Sequence, residues 1–441
     1  MSVIQHLRTD LTPGSRRALI ASMLGTLVEW YDYALYGAAA SLIIGPLFFS
    51  HMETGQTVAA FATFAVGFIA RPLGGLLIGQ IGDRRGRKPA MLLTILIMAV
   101  STVGIGLLPT AQTWGIWAVV ALIFLRLLQG LGAGAELTGA MTLVAEYTPV
   151  QRRGLWTSLV LSMPAAGSMI ATLSFLAVSH LPTESFTGWG WRLPFIASAV
   201  LFGVAIYMRN KLEESPEYRL AMEQQENKSA QSAPIREVLQ KDWRNVVLGF
   251  MAVTGHNANN YIISIASLSV MTQYGGMDRS SALTAVMLAI TLAVFLSPVG
   301  GHLADKFGAG KVMGIGALIG LIHAYPLFWA FTSGNFWLIL AALMVSYGVV
   351  MATTSGPQGA FVANLFPVRT RFTGTALARE FSGALVAGFT PMIVALLFRV
   401  GNGSIILPAT YMACCFGVTV AGMVIARGKG DNAAAAKLLN N

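Results

Sequence analysis

Charge is scarce in this sequence: 11% of its 441 residues are charged, where a soluble domain carries roughly 25%. That shortage excludes an ordinary soluble protein. Cysteine is nearly absent, with only Cys414 and Cys415. Neighbours on a helix point to different sides, so neither a disulfide nor a thiolate metal site is expected, and both read as packing residues. No nucleophile–base motif, metal-ligand spacing or phosphate loop supports an integral membrane enzyme. Long polar stretches are also missing, apart from one near 210–242 that is rich in Glu, Gln, Lys and Ser.

What remains is apolar. The hydrophobic share is 55% and the mean hydropathy +0.65. Twelve apolar runs, from 18–45 to 405–426, are of the ~20-residue length that crosses a bilayer as helix. The sequence therefore predicts an all-α integral membrane protein of twelve transmembrane helices in two six-helix bundles. The expected divisions are 1–210, a cytoplasmic linker 211–242, and 243–441.

The formal net charge of +10 raises the question of nucleic acid. Its distribution answers it. With the N-terminus inside, 23 of the 29 Lys and Arg residues fall in cytoplasmic segments. The basic excess reports topology, so both termini are expected in the cytoplasm and no nucleic-acid partner is expected. The first apolar run is too long for a signal-peptide core and contains Glu29 and Asp32.

The two halves echo one another. Gly79-Gln-Ile-Gly-Asp-Arg-Arg-Gly-Arg-Lys88 follows the second run and Gly301-His-Leu-Ala-Asp-Lys-Phe-Gly-Ala-Gly-Lys311 the eighth, which places Asp83 and Asp305 222 residues apart. Ala145–Val150 and Ala363–Val368 match at an offset of 218. Duplicated six-helix units of this kind build secondary transporters whose bundles rock about a central site.

Gly79–Lys88 resembles the major facilitator signature between spans two and three, and Arg126-Leu-Leu-Gln-Gly130 resembles its fourth-span motif. Glu29-Trp-Tyr-Asp-Tyr33, Phe68–Gly75, Trp189–Phe195 and Glu213–Tyr218 are similar to the metabolite:proton symporter family, whose members import organic acids and compatible solutes in bacteria. The resemblance spans nearly the whole chain. It implies a multi-pass protein of the bacterial inner membrane, driven by a proton gradient without a bound cofactor, with a small molecule, protons and the lipid bilayer as partners. A monomer is expected. Three departures stand out. The second signature copy is longer and less basic, Asn364 replaces Glu146, and Met163-Pro164 stands in place of the Gly-Pro pair of drug antiporters.

Ionisable groups inside hydrocarbon cost ~2.5 kcal/mol or more each and mark a pathway or a pair. Here they are Glu29, Asp32, Glu136 and Glu380 against Arg71, Arg126 and Arg379. At about 1.5 Å per residue, Asp32 lies ~21 Å into its helix and Arg126 ~16 Å into span four, both near mid-membrane. Either Asp32 exchanges Arg126 for a proton, the role the resemblance gives to the first-span acid, or the two form a permanent ion pair. Glu29 is a second proton site or part of substrate recognition. Arg71 has no obvious local partner. It either offers its planar fork to a substrate carboxylate or pairs with Glu29 or Glu136. Tyr36, one turn beyond Asp32, and Gln129, one turn beyond Arg126, share those faces. His256, Asn257, Tyr261 and Gln358 are further candidates for substrate contact, with helix–helix hydrogen bonding as the alternative.

For gating, the resemblance implies that Asp83 and its arginines latch the halves, with Glu146 as partner of Arg84 or Arg87, and Asp305 as the second copy. Glu136 reads as gating or packing. Arg379 and Glu380 either neutralise each other or act in the gate. The combined expectation is proton-coupled import of a small polar metabolite, a carboxylate, by alternating access. Zwitterionic osmolyte uptake and a non-transporting nutrient sensor are the alternatives.

Overall fold

Long apolar helices with polar interruptions at their centres build the molecule, seen here in a computed structural model. It describes residues 13–85, 87–134, 137, 140, 144, 153–210, 234–367, 370–426 and 428–430. Twelve spans follow in order. The first six are α1 (Pro13–Ala39, extended by Ala40–Ile44 and Gly45–Phe48), α2 (Gln56–Arg85), α3 (Arg87–Leu107), α4 (Ile116–Ala133), α5 (Arg153–Ser179) and α6 (Arg192–Asn210). After a short helix, Pro234–Lys241, come α7 (Trp243–Tyr261, extended by Ile262–Ala266 and Ser267–Gln273), α8 (Arg279–Phe307) and α9 (Ala309–Phe331). The last three are α10 (Phe336–Val345, continuing through Ser346–Met351 and Ala352–Ser355 to Gln358–Asn364), α11 (Arg371–Ser382, Gly383–Ala387, Thr390–Val400) and α12 (Ile406–Ala426).

Among the described residues, eight helices are long and apolar enough to cross a bilayer alone, and the bent pair Thr183–Gly190 with Arg192–Tyr207 makes a ninth. The spans α1 and α7 fall short because they carry the buried polar residues of the centre. The apolar run of α3 is shorter, Leu92–Leu107. The duplication seen in sequence reappears in backbone geometry. A π turn at Ala40–Ile44 in α1 has its counterpart at Ile262–Ala266 in α7, 222 residues on. Such turns leave the regular i to i−4 ladder and often accompany functional sites.

Small residues let the spans approach. A Cβ on Gly134 would sit 2.6 Å from the Gly75 amide nitrogen of α2, and one on Gly132 would meet Met98 of α3 at 2.7 Å. The Gly-rich stretch of α4 is therefore a packing face, as its sequence suggests. At the head of α8, Asp278 accepts from the Ser281 backbone amide at 2.9 Å as an N-cap. That hydrogen bonding holds its carboxyl below the usual carboxylate range. The cysteine reading is half right. Cys415 packs inside, whereas Cys414 lies on the exposed face of α12.

Candidate transport site

Four residues on one face of α1 form the floor of the site. Glu29, Asp32, Tyr33 and Tyr36 recur at helical spacing, and all are buried. Two separate polar systems grow from them.

The first surrounds Asp32. Its Oδ1 accepts from the Thr102 hydroxyl of α3, and Gln129 of α4 donates to the same hydroxyl at 3.1 Å. Gln129 in turn accepts from Arg126. The direct Asp32–Arg126 ion pair considered from sequence does not form. Arg126 turns instead to the backbone of α2, donating to the carbonyls of Thr63 at 3.3 Å and Phe64 at 2.9 Å. Gly67 makes this approach possible, since a Cβ there would lie 2.5 Å from the Arg126 guanidinium. The guanidinium also stacks 4.0 Å from the Tyr36 ring centre, and the Tyr36 hydroxyl bonds Thr63 at 2.5 Å. Asp32 is thus tied to its arginine only through neutral groups, and its Oδ2 has no hydrogen-bond partner.

The second system centres on Arg71. Of the readings left open for Arg71, pairing with Glu29 is the one that forms: Arg71 bridges Glu29 at 2.9 Å and Glu380 at 3.2 Å. Sequence spacing gave no warning of Glu380, which arrives from α11, 309 residues away. Of the two readings left open for Arg379 and Glu380, a direct ion pair between the neighbours does not form. Adjacent residues on a helix diverge, and Arg379 donates to Gln358 of α10 while Glu380 faces Arg71. Glu29 Oε2 and Gln358 Nε2 have no partners.

Tyr33, overlooked in the sequence, stands between the two systems. Its ring lies 5.0 Å from the Arg71 guanidinium and 5.8 Å from that of Arg126, and its buried hydroxyl has no partner. Its position four residues after Glu29 was the available signal. Tyr261 of α7 closes the layer with Phe64, Phe68 and Trp30, at ring separations of 5.8, 5.3 and 6.0 Å. His256 bonds Thr354 at 3.1 Å, and Asn257 donates to Ser382 at 2.8 Å. In this state those two residues serve helix–helix contacts.

The halves meet at both ends. At one, Asp305 of α8 accepts from the backbone amides of Gly154 and Leu155, both at 2.9 Å, at the head of α5. A carboxylate there satisfies orphan amides and suits the helix dipole. At the other end, Arg399 donates to Thr54 at 2.8 Å, Gln273 to Thr57 at 2.9 Å, and Ser179 meets Ser280 at 3.0 Å. Between these ends, Glu29, Asp32, Arg71 and Arg126 are buried. The side chains of Asp83, Arg84 and Arg87, and all of Glu136 and Glu146, lie outside the described residues. Among the described residues, no group of three or more His, Cys, Asp or Glu could hold a metal ion.

A Cβ on Gly154 would meet the Gly301 carbonyl and Asp305 Oδ1 at 2.5 Å. Gly154→Val is therefore expected to wedge the α5–α8 contact apart at a cost of about 1–3 kcal/mol to the closed form. Cysteines placed near the site should then become more reactive to impermeant thiol reagents added from that end. Unchanged reactivity would show that the contact does not hold the end shut.

Twelve spans in two repeated sets, with ionisable side chains gathered where the sets meet, define a transporter. Residues 22–391 match the Major Facilitator Superfamily, and the chain belongs to that family. It is 36% identical over 429 residues to the inner membrane metabolite transport protein YhjE of Escherichia coli (strain K12), covering 94% of this chain and 95% of that protein. The shikimate transporter of the same organism is 34% identical, covering 88% of this chain and 89% of its own. Its proline/betaine transporter is 32% identical, covering 93% and 82%. A crystal structure of a D-xylose-proton symporter superimposes with a TM-score of 0.74, covering 93% of this chain and 97% of that one. At 18% identity that likeness speaks for the fold alone.

Proposed function

We propose that this chain imports a small polar metabolite, an organic acid, together with protons by alternating access. In this reading it works as a monomer in the bacterial inner membrane with both termini in the cytoplasm. The observation that carries the reading is the state of the two α1 acids. Glu29 and Asp32 are buried, and each keeps one oxygen without a partner beside an arginine system. A buried acid that can trade a proton against a cation is a coupling device, because changing access alters both its hydration and its partner. Asp32 carries the proton, with Glu29 as second acid and Arg126 setting the field around Asp32. Tyr36, Gln129, Tyr261 and Gln358 line the substrate path, and Asp305 latches the cytoplasmic end. The relatives, named for shikimate and for proline and betaine, agree with a small polar cargo.

A zwitterionic substrate is the second reading. The aromatic rings of Trp30 and Tyr261, 6.0 Å apart, and an acid with an unpartnered oxygen, Glu29, are the groups that a quaternary ammonium would need. Proteoliposomes with an acidic exterior decide between them, using labelled shikimate as the carboxylate and glycine betaine and proline as zwitterions. The expected result is accumulation of shikimate that collapses with a protonophore. Gradient-driven uptake of betaine alone would transfer the proposal to the zwitterion. Failure of every probe would sink proton-coupled import.

A further inference from the structure

Among the described residues, Arg71 is the ionic tie between the two halves at the centre of the molecule. It belongs to α2 and holds Glu29 of its own half and Glu380 of the other. The contact between α2 and α11 continues outward from this pair. Phe68 packs against Gly388, where a Cβ would come within 2.6 Å, and Arg399 reaches Thr54 at the outer end. The ion pair therefore sits at the base of the seam that closes the outer side.

We infer that Arg71 is a toggle that converts the protonation of Glu29 into closure of the outer gate, with Glu380 as the residue it acts on. One guanidinium serves two carboxylates, so its allegiance depends on which of them is ionised. With Glu29 protonated, Arg71 turns fully to Glu380 and the α2–α11 seam tightens. With Glu380 protonated, Arg71 falls back on Glu29 and the seam loses its central tie. A proton entering from outside on Glu29 thus favours the closed outer gate, which is the order that import requires. Among the described residues, the groups facing this switch are few. Glu380 meets Arg71 and Glu29 from α2 and α1, with Tyr33 of α1 and Tyr261 of α7 beside Arg71. Arg379 is its neighbour on α11, and His256 of α7 lies near Arg379. Both tyrosines are neutral, so the choice of partner rests with the two acids and the nearby arginine.

The inference shares alternating access with the proposed function and does not depend on the identity of the cargo. Its test is substrate-free. Spin labels at Gln112→Cys and Ile406→Cys, both exposed and both at the outer end of opposite halves, report outer opening by pulsed electron–electron distance measurement. The background carries Cys414→Ala and Cys415→Ala, and the full chain is held in lipid nanodiscs. E380Q is expected to raise the open-to-closed ratio by about tenfold, as loss of a buried ionic partner should. E29Q, which mimics the protonated acid, is expected to lower the ratio or hold it at its closed limit. Should E380Q fail to fold, Glu380→Asp shortens the arm and is expected to shift the ratio in the same direction by less. An open fraction unmoved by the Glu380 variant, or raised by E29Q, would overturn the toggle. Gradient-driven uptake can fail or succeed separately from either result.

Discussion

Arg71→Met is expected to destabilise the protein by ~3–5 kcal/mol, because it strands two carboxylates in a buried site. Glu29 is 1% exposed at its side chain and Glu380 15%, and Arg71 is the guanidinium that ion-pairs with both. Methionine keeps much of the packing volume against Tyr33 and Phe68 and removes only the charge and the fork. The compensated triple variant, with Glu29→Gln and Glu380→Gln added, is expected to return within about 1 kcal/mol of the parent, since replacing a whole buried ionic group is far cheaper than breaking it. Unfolding in mixed detergent micelles measures both. An Arg71→Met protein as stable as the parent would show that the two acids do not depend on this cation. A triple variant as unstable as the single one would show that packing, not charge, set the cost.

Span number, the six-and-six repeat and the buried Glu29, Asp32, Arg71 and Arg126 were legible, because apolar length and the cost of ions in hydrocarbon are local properties of the chain. Gln129 beside Arg126 was legible for the same reason, as two residues one turn apart on one helix. Partner choice was not. Arg71 meets Glu380 across 309 residues, and Arg126 prefers two backbone carbonyls to Asp32 because Gly67 leaves the α2 backbone bare. Neither fact has a signature in spacing. Arg379 and Glu380 are neighbours in sequence, yet the helix sends them to different partners, Gln358 and Arg71. Tyr33 was within reach. It shares the face of Glu29 and was passed over because an aromatic residue in an apolar run reads first as packing.

Asp32→Asn is expected to abolish accumulation driven by a pH gradient, with a fall of about a hundredfold or more in the gradient-dependent rate, while exchange of substrate across the membrane continues. The argument rests on how Asp32 is held. Its contact with Thr102 is one that an amide oxygen can also accept, and its other oxygen has no partner. The substitution therefore keeps shape and one hydrogen bond and removes only the ability to take up and release a proton. Because Arg126 is anchored to Thr63, Phe64, Gln129 and the Tyr36 ring, it does not collapse when the charge at position 32 is lost. A carrier frozen in its neutral form at this position can still reorient with substrate bound, so counterflow survives, but the gradient then acts only on the outer gate through Glu29 and no longer drives net accumulation. Counterflow and gradient-driven uptake measured on the same proteoliposomes separate these quantities. Loss of both together would assign Asp32 a structural or binding role. Retention of gradient-driven accumulation would move the coupling proton to Glu29, whose unpartnered oxygen is the other acidic acceptor on the same face of α1.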